Sequence, residues 1–270
     1  MEHSTSSVDS AIAGSIAGFV SRVVVSPLDV IKIRWQLSSH SSHSFTRTFR
    51  HVIDTHGVLG LFRGNLWGLL LWISYGAVQF PVYEQCKLYT GESGLGRVLS
   101  GSMAACFATT LTFPLDVLRT RRISAHSHHF NNIFRGLGPG LMSIAPMSGI
   151  TFALHEYLLK SGVEKATSGM IAGTVARAII FPLDTIKRRM MAQGLQHVES
   201  GKTIKHYSGA LHCAQSIWKE EGVLAFFRGV SPSLVKTGIG SSITFFVYET
   251  SLHYLNTHPT LRNLSYKTGS

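Results

Sequence analysis

Three short segments of this sequence hold an acid and a base three residues apart inside otherwise apolar runs: Asp29 and Lys32, Asp116 and Arg119, Asp184 and Lys187. A proline stands two residues before each acid, at Pro27, Pro114 and Pro182. Charges placed singly in apolar surroundings are expensive, so the chemistry open to these six is pairing with one another. A second set carries one sign only. Arg22, Arg177 and Lys236 each interrupt an apolar run, and Arg22 and Arg177 stand seven residues before Asp29 and Asp184, on the same helical face. Bases clustered without acids call for an anion from outside, and two or three of them suit a pyrophosphate. The other reading, in which Arg22 and Arg177 partner the aspartates seven residues on, stays open. Neither a Gly-rich phosphate loop nor a Ser-His-Asp set nor a metal-ligand spacing occurs, so the sequence points away from an enzyme and from a metal site. His126, His128 and His129, with His40 and His43, lie in Ser-rich segments without Cys or acid partners and read as solvated loops.

The elements that must position these residues come in three copies. PLDVIK at 27–32, PLDVLR at 114–119 and PLDTIK at 182–187 each follow a pair of small residues four apart: Gly14 and Gly18, Gly101 and Ala105, Gly169 and Gly173. Such pairs let helices approach closely. Each copy is followed by Phe-Arg-Gly, ending at Gly64, Gly136 and Gly229. From its arginine the next acid (Glu84, Glu156, Glu249) is 21 residues on, and an aromatic (Phe80, Phe152, Phe245) is 17 on, in all three copies. Two fixed spacings in three copies define an internal repeat, with units at 8–95, 96–165 and 166–258. The runs 64–83, 98–115 and 136–155 contain no charged residue. The runs 10–28, 166–183 and 229–248 contain one base each. All are long enough to cross a bilayer as helices, which gives six helices in three pairs.

Composition agrees. Only 14% of the 270 residues are charged against 44% hydrophobic, and a mean hydropathy of +0.17 suits helices with one lipid face and one wet face. The net charge of +11 fits attraction to anionic lipid heads. The bases are dispersed rather than interleaved with aromatics, which argues against a nucleic-acid partner. Three cysteines without metal-like spacing imply no disulfide framework. The N-terminal MEHSTSSVDS has neither arginine nor an amphipathic pattern, so no cleaved presequence is expected. Inside the repeats the links differ. From proline to the Phe-Arg-Gly arginine takes 36 residues in the first, 46 in the third and only 21 in the second. Short amphipathic helices are expected at 45–57 and after Tyr207-Ser208-Gly209, and none in the second link.

Pro-x-acid-x-x-base in triplicate resembles the repeat of the mitochondrial carrier family, over almost the whole chain. The resemblance implies an all-α membrane protein. Its six transmembrane helices would form three pseudosymmetric two-helix repeats, with short matrix surface helices reduced in the second, around a water-filled cavity. It also implies residence in the mitochondrial inner membrane, work as a monomer and alternating access. Asp29, Lys32, Asp116, Arg119, Asp184 and Lys187 would form the matrix gate, braced by Gln36. Tyr83, Glu84, Lys87, Glu156, Tyr248 and Glu249 would form the cytoplasmic gate. Leu159 and Leu252 stand there where bases belong, so that latch is weak and the empty protein should open to the cytoplasm. Lys236 falls at the family's third substrate contact, with the first near Leu71 and Trp72 and the second near Ser143 and Ile144. Trp72, Tyr75 and Gln79 would hold a heteroaromatic ring. Arg63-Gly64, Arg135-Gly136 and Arg228-Gly229, with Gly209, would hold cardiolipin, the bound lipid expected in place of any cofactor. SPLDVIKIRWQL (26–37), SYGAVQF (74–80), DVLRTR (116–121) and GVSPSLVK (229–236) are most similar to members that move thiamine pyrophosphate, which implies that substrate, exchanged for a nucleotide. The alternatives are another phosphorylated compound, such as an adenine nucleotide or coenzyme A, and a degenerate scaffold that no longer transports.

Overall fold

The computed structural model describes residues 7–37, 45–91, 93–124, 132–195 and 203–257; the five histidines of the Ser-rich segments lie outside them. Eight α-helices follow one another among these residues. They are α1 (Ser7–Leu37), α2 (Phe45–His56), α3 (Asn65–Thr90), α4 (Gly94–Ser124), α5 (Leu137–Lys160), α6 (Lys165–Ala192), α7 (Ala210–Glu221) and α8 (Val230–Thr257). Six are long and make the three pairs; α2 and α7 are the short helices of the first and third links. By length and hydropathy α4, α5, α6 from Thr167, and α3 with the turn before it can each cross a membrane. The other two long helices, α1 and α8, are as long; α1 carries Asp9, Arg22, Asp29, Lys32 and Arg34, and α8 carries Lys236 and Glu249. Pro27, Pro114 and Pro182 all lie inside continuous helices, where each removes one backbone hydrogen bond at the same depth.

The long helices pack most extensively across repeat boundaries: α1 on α8, α3 on α4, and α5 on α6. A stripe of small residues makes this possible. Counted back from each proline by 14, 10 and 6, the positions are Ala13, Ala17 and Ser21 in α1, Ser100, Ala104 and Ala108 in α4, and Ser168, Ala172 and Ala176 in α6. Eight of these nine are fully buried and Ser21 is 7% exposed. Hydroxyls on the stripe tie it to the facing helices. Ser21 Oγ donates to Gly240 O on α8 at 3.0 Å, Ser100 meets Thr90 at the end of α3, and Ser168 Oγ lies 2.9 Å from His155 Nδ1 on α5. This corrects in part the role expected of the small-residue pairs one position further on; Gly18 keeps it, since a Cβ there would lie 2.5 Å from the Trp72 ring of α3. A Cβ added at Gly14, Gly101 or Gly173 would meet nothing within 4 Å. A single residue turns the face by about 100°, so those glycines point away from the contact.

At the proline end the links close the bundle unequally. Only residues 125–136 separate α4 from α5, which pack on each other more than α1 does on α3 or α6 on α8. The longer third link crosses towards the other repeats. Gly194 N donates to Ile204 O at 2.9 Å and Ile204 N to Leu195 O at 2.8 Å. That pairing seats Ile204 among Val30, Ile33 and Leu37 of α1, Ile123 of α4 and Ala192 of α6. Beside it Arg135 of the second repeat donates to His206 Nε2 at 2.7 Å. The surplus residues of repeat three thus cover ground next to the short link of repeat two.

Replacing Ala104 by Leu is expected to cost about 1–3 kcal/mol by overpacking the α3–α4 seam. Gly101→Ala should leave stability unchanged or raise it, by up to about 1 kcal/mol. Thermal unfolding of the two purified variants checks this, and equal losses would remove the stripe from the packing.

Candidate functional site

The six charges of the three motifs are brought together where α1, α4 and α6 converge. Arg119 Nη2 donates to Asp29 Oδ2 at 2.6 Å, Lys187 Nζ lies 2.8 Å from Asp116 Oδ2, and Lys32 Nζ lies 3.5 Å from Asp184 Oδ2. Each acid takes its base from the next repeat, so the three pairs close a circuit. Two acids serve a second base as well: Lys236 Nζ donates to Asp29 Oδ1 at 2.5 Å, and Arg188 Nη1 to Asp116 Oδ1 at 2.7 Å. Two ring lysines also stand over aromatic faces from the residues before the prolines, Lys32 at 5.0 Å from the Phe181 ring and Lys187 at 5.4 Å from Phe113.

The glycines of the Phe-Arg-Gly triplets hold this geometry. Gly64, Gly136 and Gly229 sit at φ of 78°, 93° and 90°, each immediately before its helix, α3, α5 or α8. Positive φ favours glycine, and space demands it too. A Cβ there would lie 3.3 Å from Arg119 O, 2.9 Å from Lys187 O and 3.2 Å from Lys32 O respectively. Each of α3, α5 and α8 therefore starts against the backbone of the neighbouring repeat's ring base. One turn on, Gly68 and Gly140 leave room for the side chains of Arg119 and Lys187.

The other expected members of this end are placed as follows. Gln36 is fully buried beneath the ring and reaches Thr185 Oγ1 at 3.5 Å rather than a ring charge. Arg228 pairs with Glu221, which also receives both arms of Arg189, one of them at 2.8 Å. Arg63 follows a short turn at the start of α3, and Gly209 precedes α7 in extended backbone. Burial pushes the Cys213 thiol on α7 up to about 12, which leaves it protonated and unreactive.

Above the ring lies a cavity of 760 Å3, lined by six basic side chains (Arg22, Lys32, Arg119, Arg177, Arg188, Lys236) and two acidic ones, Asp29 and Asp184. Arg22 and Arg177 make no direct ion pair among the described residues and meet the aspartates seven residues on only through longer-range charge. Arg22 instead stands 6.0 Å from the Trp72 ring. Lys236 departs from the expectation of a lone base. The α1–α8 interface carries it to Asp29, a residue 207 positions away, so nothing nearby in sequence signals the pair. Arg188 escaped sequence reasoning; its signal was a base at the position where the other two motifs have Ile33 and Thr120.

A side pocket of 190 Å3 opens beside the cavity between α3 and α4, with Arg22, Trp72 and Tyr75 on its walls. Gln79 lies apart from it, in a fissure between α1 and α3 that Trp72 and Arg22 also border. Ser143 donates to Gly140 O at 2.6 Å within its own helix and does not line the cavity. At the opposite mouth Glu84, Glu156 and Glu249 are exposed. Among the described residues none of them forms a cross-helix pair; Glu156 lies 3.0 Å from Lys160 of its own helix. Tyr248 lines the cavity, while Tyr83 is half-buried and Lys87 lies one turn beyond Glu84. The cavity is thus closed at the ring and unlatched at the other end.

A family model described as mitochondrial carrier protein matches residues 3–94 and 159–259, the stretches of the first and third repeats. Among curated proteins, the chain is 34% identical to mitochondrial thiamine pyrophosphate carrier 1 of Phaeosphaeria nodorum, over 93% of this chain and 94% of that one. It is 30% identical to the mitochondrial thiamine pyrophosphate carrier of Homo sapiens over 88% and 89%. It is 32% identical to mitochondrial thiamine pyrophosphate carrier 1 of Aspergillus niger over 90% and 91%.

Because Asp29 answers two bases and Asp184 one, at a longer distance, the acids should differ in weight. Asp29→Ala is expected to destabilise by about 3–5 kcal/mol, the cost of leaving buried charges without their partner, and Asp184→Ala by clearly less. Unfolding midpoints of the two variants test this; an equal or larger loss at Asp184 would overturn the ranking.

Proposed function

Since the chain belongs to the mitochondrial carrier family, we propose that it carries thiamine pyrophosphate across the mitochondrial inner membrane by alternating access, exchanging it for a nucleotide. The reading rests on one observation above all: a cavity with a basic floor and a side pocket walled by Trp72 and Tyr75 lie on either side of Arg22, which lines both. A pyrophosphate needs several charge-assisted donors, which Arg22, Arg177 and Lys236 supply. A heteroaromatic ring needs a flat apolar partner, and Trp72 lies within reach of Arg22. The total volume falls in the range of roughly 300–1,000 Å3 usual for ligand clefts. The names of the relatives support the same substrate.

In this reading the ring is the matrix gate and the acidic mouth the cytoplasmic one. Substrate enters the open mouth, engages the cations on the floor, and by taking up their charge loosens the ring beneath. The helices then rock, and the outer acids meet what bases they have. The protein works as a monomer, since one chain holds the whole cavity. Cardiolipin head groups sit at the starts of α3, α5, α7 and α8, where helix N-termini and nearby arginines favour phosphate. A scaffold that no longer transports, which the short second link would suit, would have no use for unpaired cations facing a cavity.

Uptake of labelled thiamine pyrophosphate into liposomes holding the purified protein tests the proposal. Arg22→Ala and Arg177→Ala should each weaken apparent affinity about tenfold to a hundredfold, the loss of one charge-assisted contact. Trp72→Ala should weaken thiamine pyrophosphate while leaving competition by inorganic pyrophosphate unchanged. Absence of uptake by the unaltered protein, with an intact melting transition, would refute the transport reading.

A further inference from the structure

Arg188 lies outside the three paired motifs, yet it reaches both the ring and the cavity. Its Nη1 makes every hydrogen bond the side chain has among the described residues: to Asp116 Oδ1 at 2.7 Å, to Thr120 Oγ1 at 2.6 Å and to Met191 Sδ at 3.7 Å. Nε and Nη2 have no acceptor among the described residues, and the side chain lines the cavity floor beside Asp184. The fork of a guanidinium is planar and carries five donors. Here one prong is fixed, and the planar fork of a side chain that lines the cavity loses less entropy in ordering a second contact.

Lys236 has the matching position across the floor. Its ammonium touches Asp29 Oδ1 while its side chain stays 26% exposed, against 16% for Arg188. Each of these two cations is the second base on a ring acid that already has its own partner, Arg119 for Asp29 and Lys187 for Asp116. Either can therefore turn to a ligand without stripping its acid bare. Lys32 has no such freedom, being the one base on Asp184.

We propose that Arg188 is a specificity-determining residue that reads the terminal phosphate of a diphosphate ester, acting with Lys236 across the cavity floor. The nearer phosphate is left to Arg22 and Arg177 higher in the cavity. A monophosphate held at those two does not reach the floor, so Arg188 discriminates by phosphate count and not by the organic group. Engaging the terminal phosphate also draws Lys236 from the ring, leaving Asp29 with Arg119 alone, while Nη1 of Arg188 keeps its hold on Asp116. This deepens the carrier reading and rests on it for the identity of the organic group alone.

The test measures binding of four compounds to the purified full-length chain: thiamine pyrophosphate, thiamine monophosphate, inorganic pyrophosphate and orthophosphate. The unaltered protein should favour the diphosphate member of both pairs. Arg188→Ala should cut that preference about tenfold or more, the worth of a charge-assisted contact, while affinity for the monophosphate members stays within about twofold. Arg188→Lys, which keeps a charge for Asp116 but loses the fork, should fall between. A preference unchanged in Arg188→Ala, or an equal loss for mono- and diphosphate, overturns the proposal, as does failure of both diphosphates to bind the unaltered protein. If Arg188→Ala does not fold, Arg188→Lys decides, and an undiminished preference there counts against it. If only the thiamine compounds fail to bind, while inorganic pyrophosphate is favoured and the preference drops in the variants, the role of Arg188 stands and the substrate named above is wrong.

Discussion

The carboxylate of Asp29, bonded by Arg119 from one neighbouring helix and Lys236 from another, anchors much of what is built around it. A side chain of this kind, 8% exposed in a membrane protein, is tolerable only when its charge is answered at close range. Answering it requires α4 and α8 to stand within a side chain's length of α1 at one depth. The small-residue stripe supplies that approach for α8, and Gly64 and Gly68 leave the room at the start of α3 in which Arg119 of α4 is seated. Packing and charge are therefore one constraint: shift either seam and a buried acid loses its partner.

The circuit explains why the same devices recur three times. If each acid took a base from its own helix, the pairs would be three local events and the ends could separate freely. Because Asp29 reaches Arg119, Asp116 reaches Lys187 and Asp184 reaches Lys32, no repeat can leave without breaking bonds to both others. The helix starts run in the same sense, each glycine resting on the carbonyl of the base that its own repeat's acid binds. Side-chain and backbone contacts thus reinforce one rotation order. The open mouth has no counterpart, since Glu84, Glu156 and Glu249 are exposed and Leu159 and Leu252 hold the places a base would need.

Much of this was legible in the chain because it depends on spacing. Six long helices and the two short ones, the sharing of a face by Arg22 and Asp29, and the meeting of six charges follow from periodicity and from the cost of burying charge. What was not legible depends on rotation or on distant contact. The buried stripe begins at Ala13, one place before the glycine that draws the eye, and a shift of one residue is a change of face. Lys236 and Asp29 meet only because α8 closes the bundle against α1. Arg188 reads as one base in a run of three. Which member of the run faces a cavity and which, like Arg189, turns to Glu221 is decided by the angle of the helix.

The second repeat shows how far such a bundle tolerates loss. Its link is too short for the surface helix that the other two carry, yet Arg119, Asp116 and Gly136 occupy their places in the circuit. The reason is that the circuit depends on where helices begin and end, and the 21-residue spacing from Arg135 to Glu156 keeps α5 in register with its counterparts. A short tether even helps locally, holding α4 and α5 closer than the other pairs. What a surface helix would add is cover for the apolar ends of neighbouring helices. Ile204 and His206 reach over from the long third link to give part of that cover, at Ile123 and Arg135. Surplus length in one repeat thus offsets the deficit in another. The threefold order is kept where charge demands it and relaxed where only apolar surface is at stake.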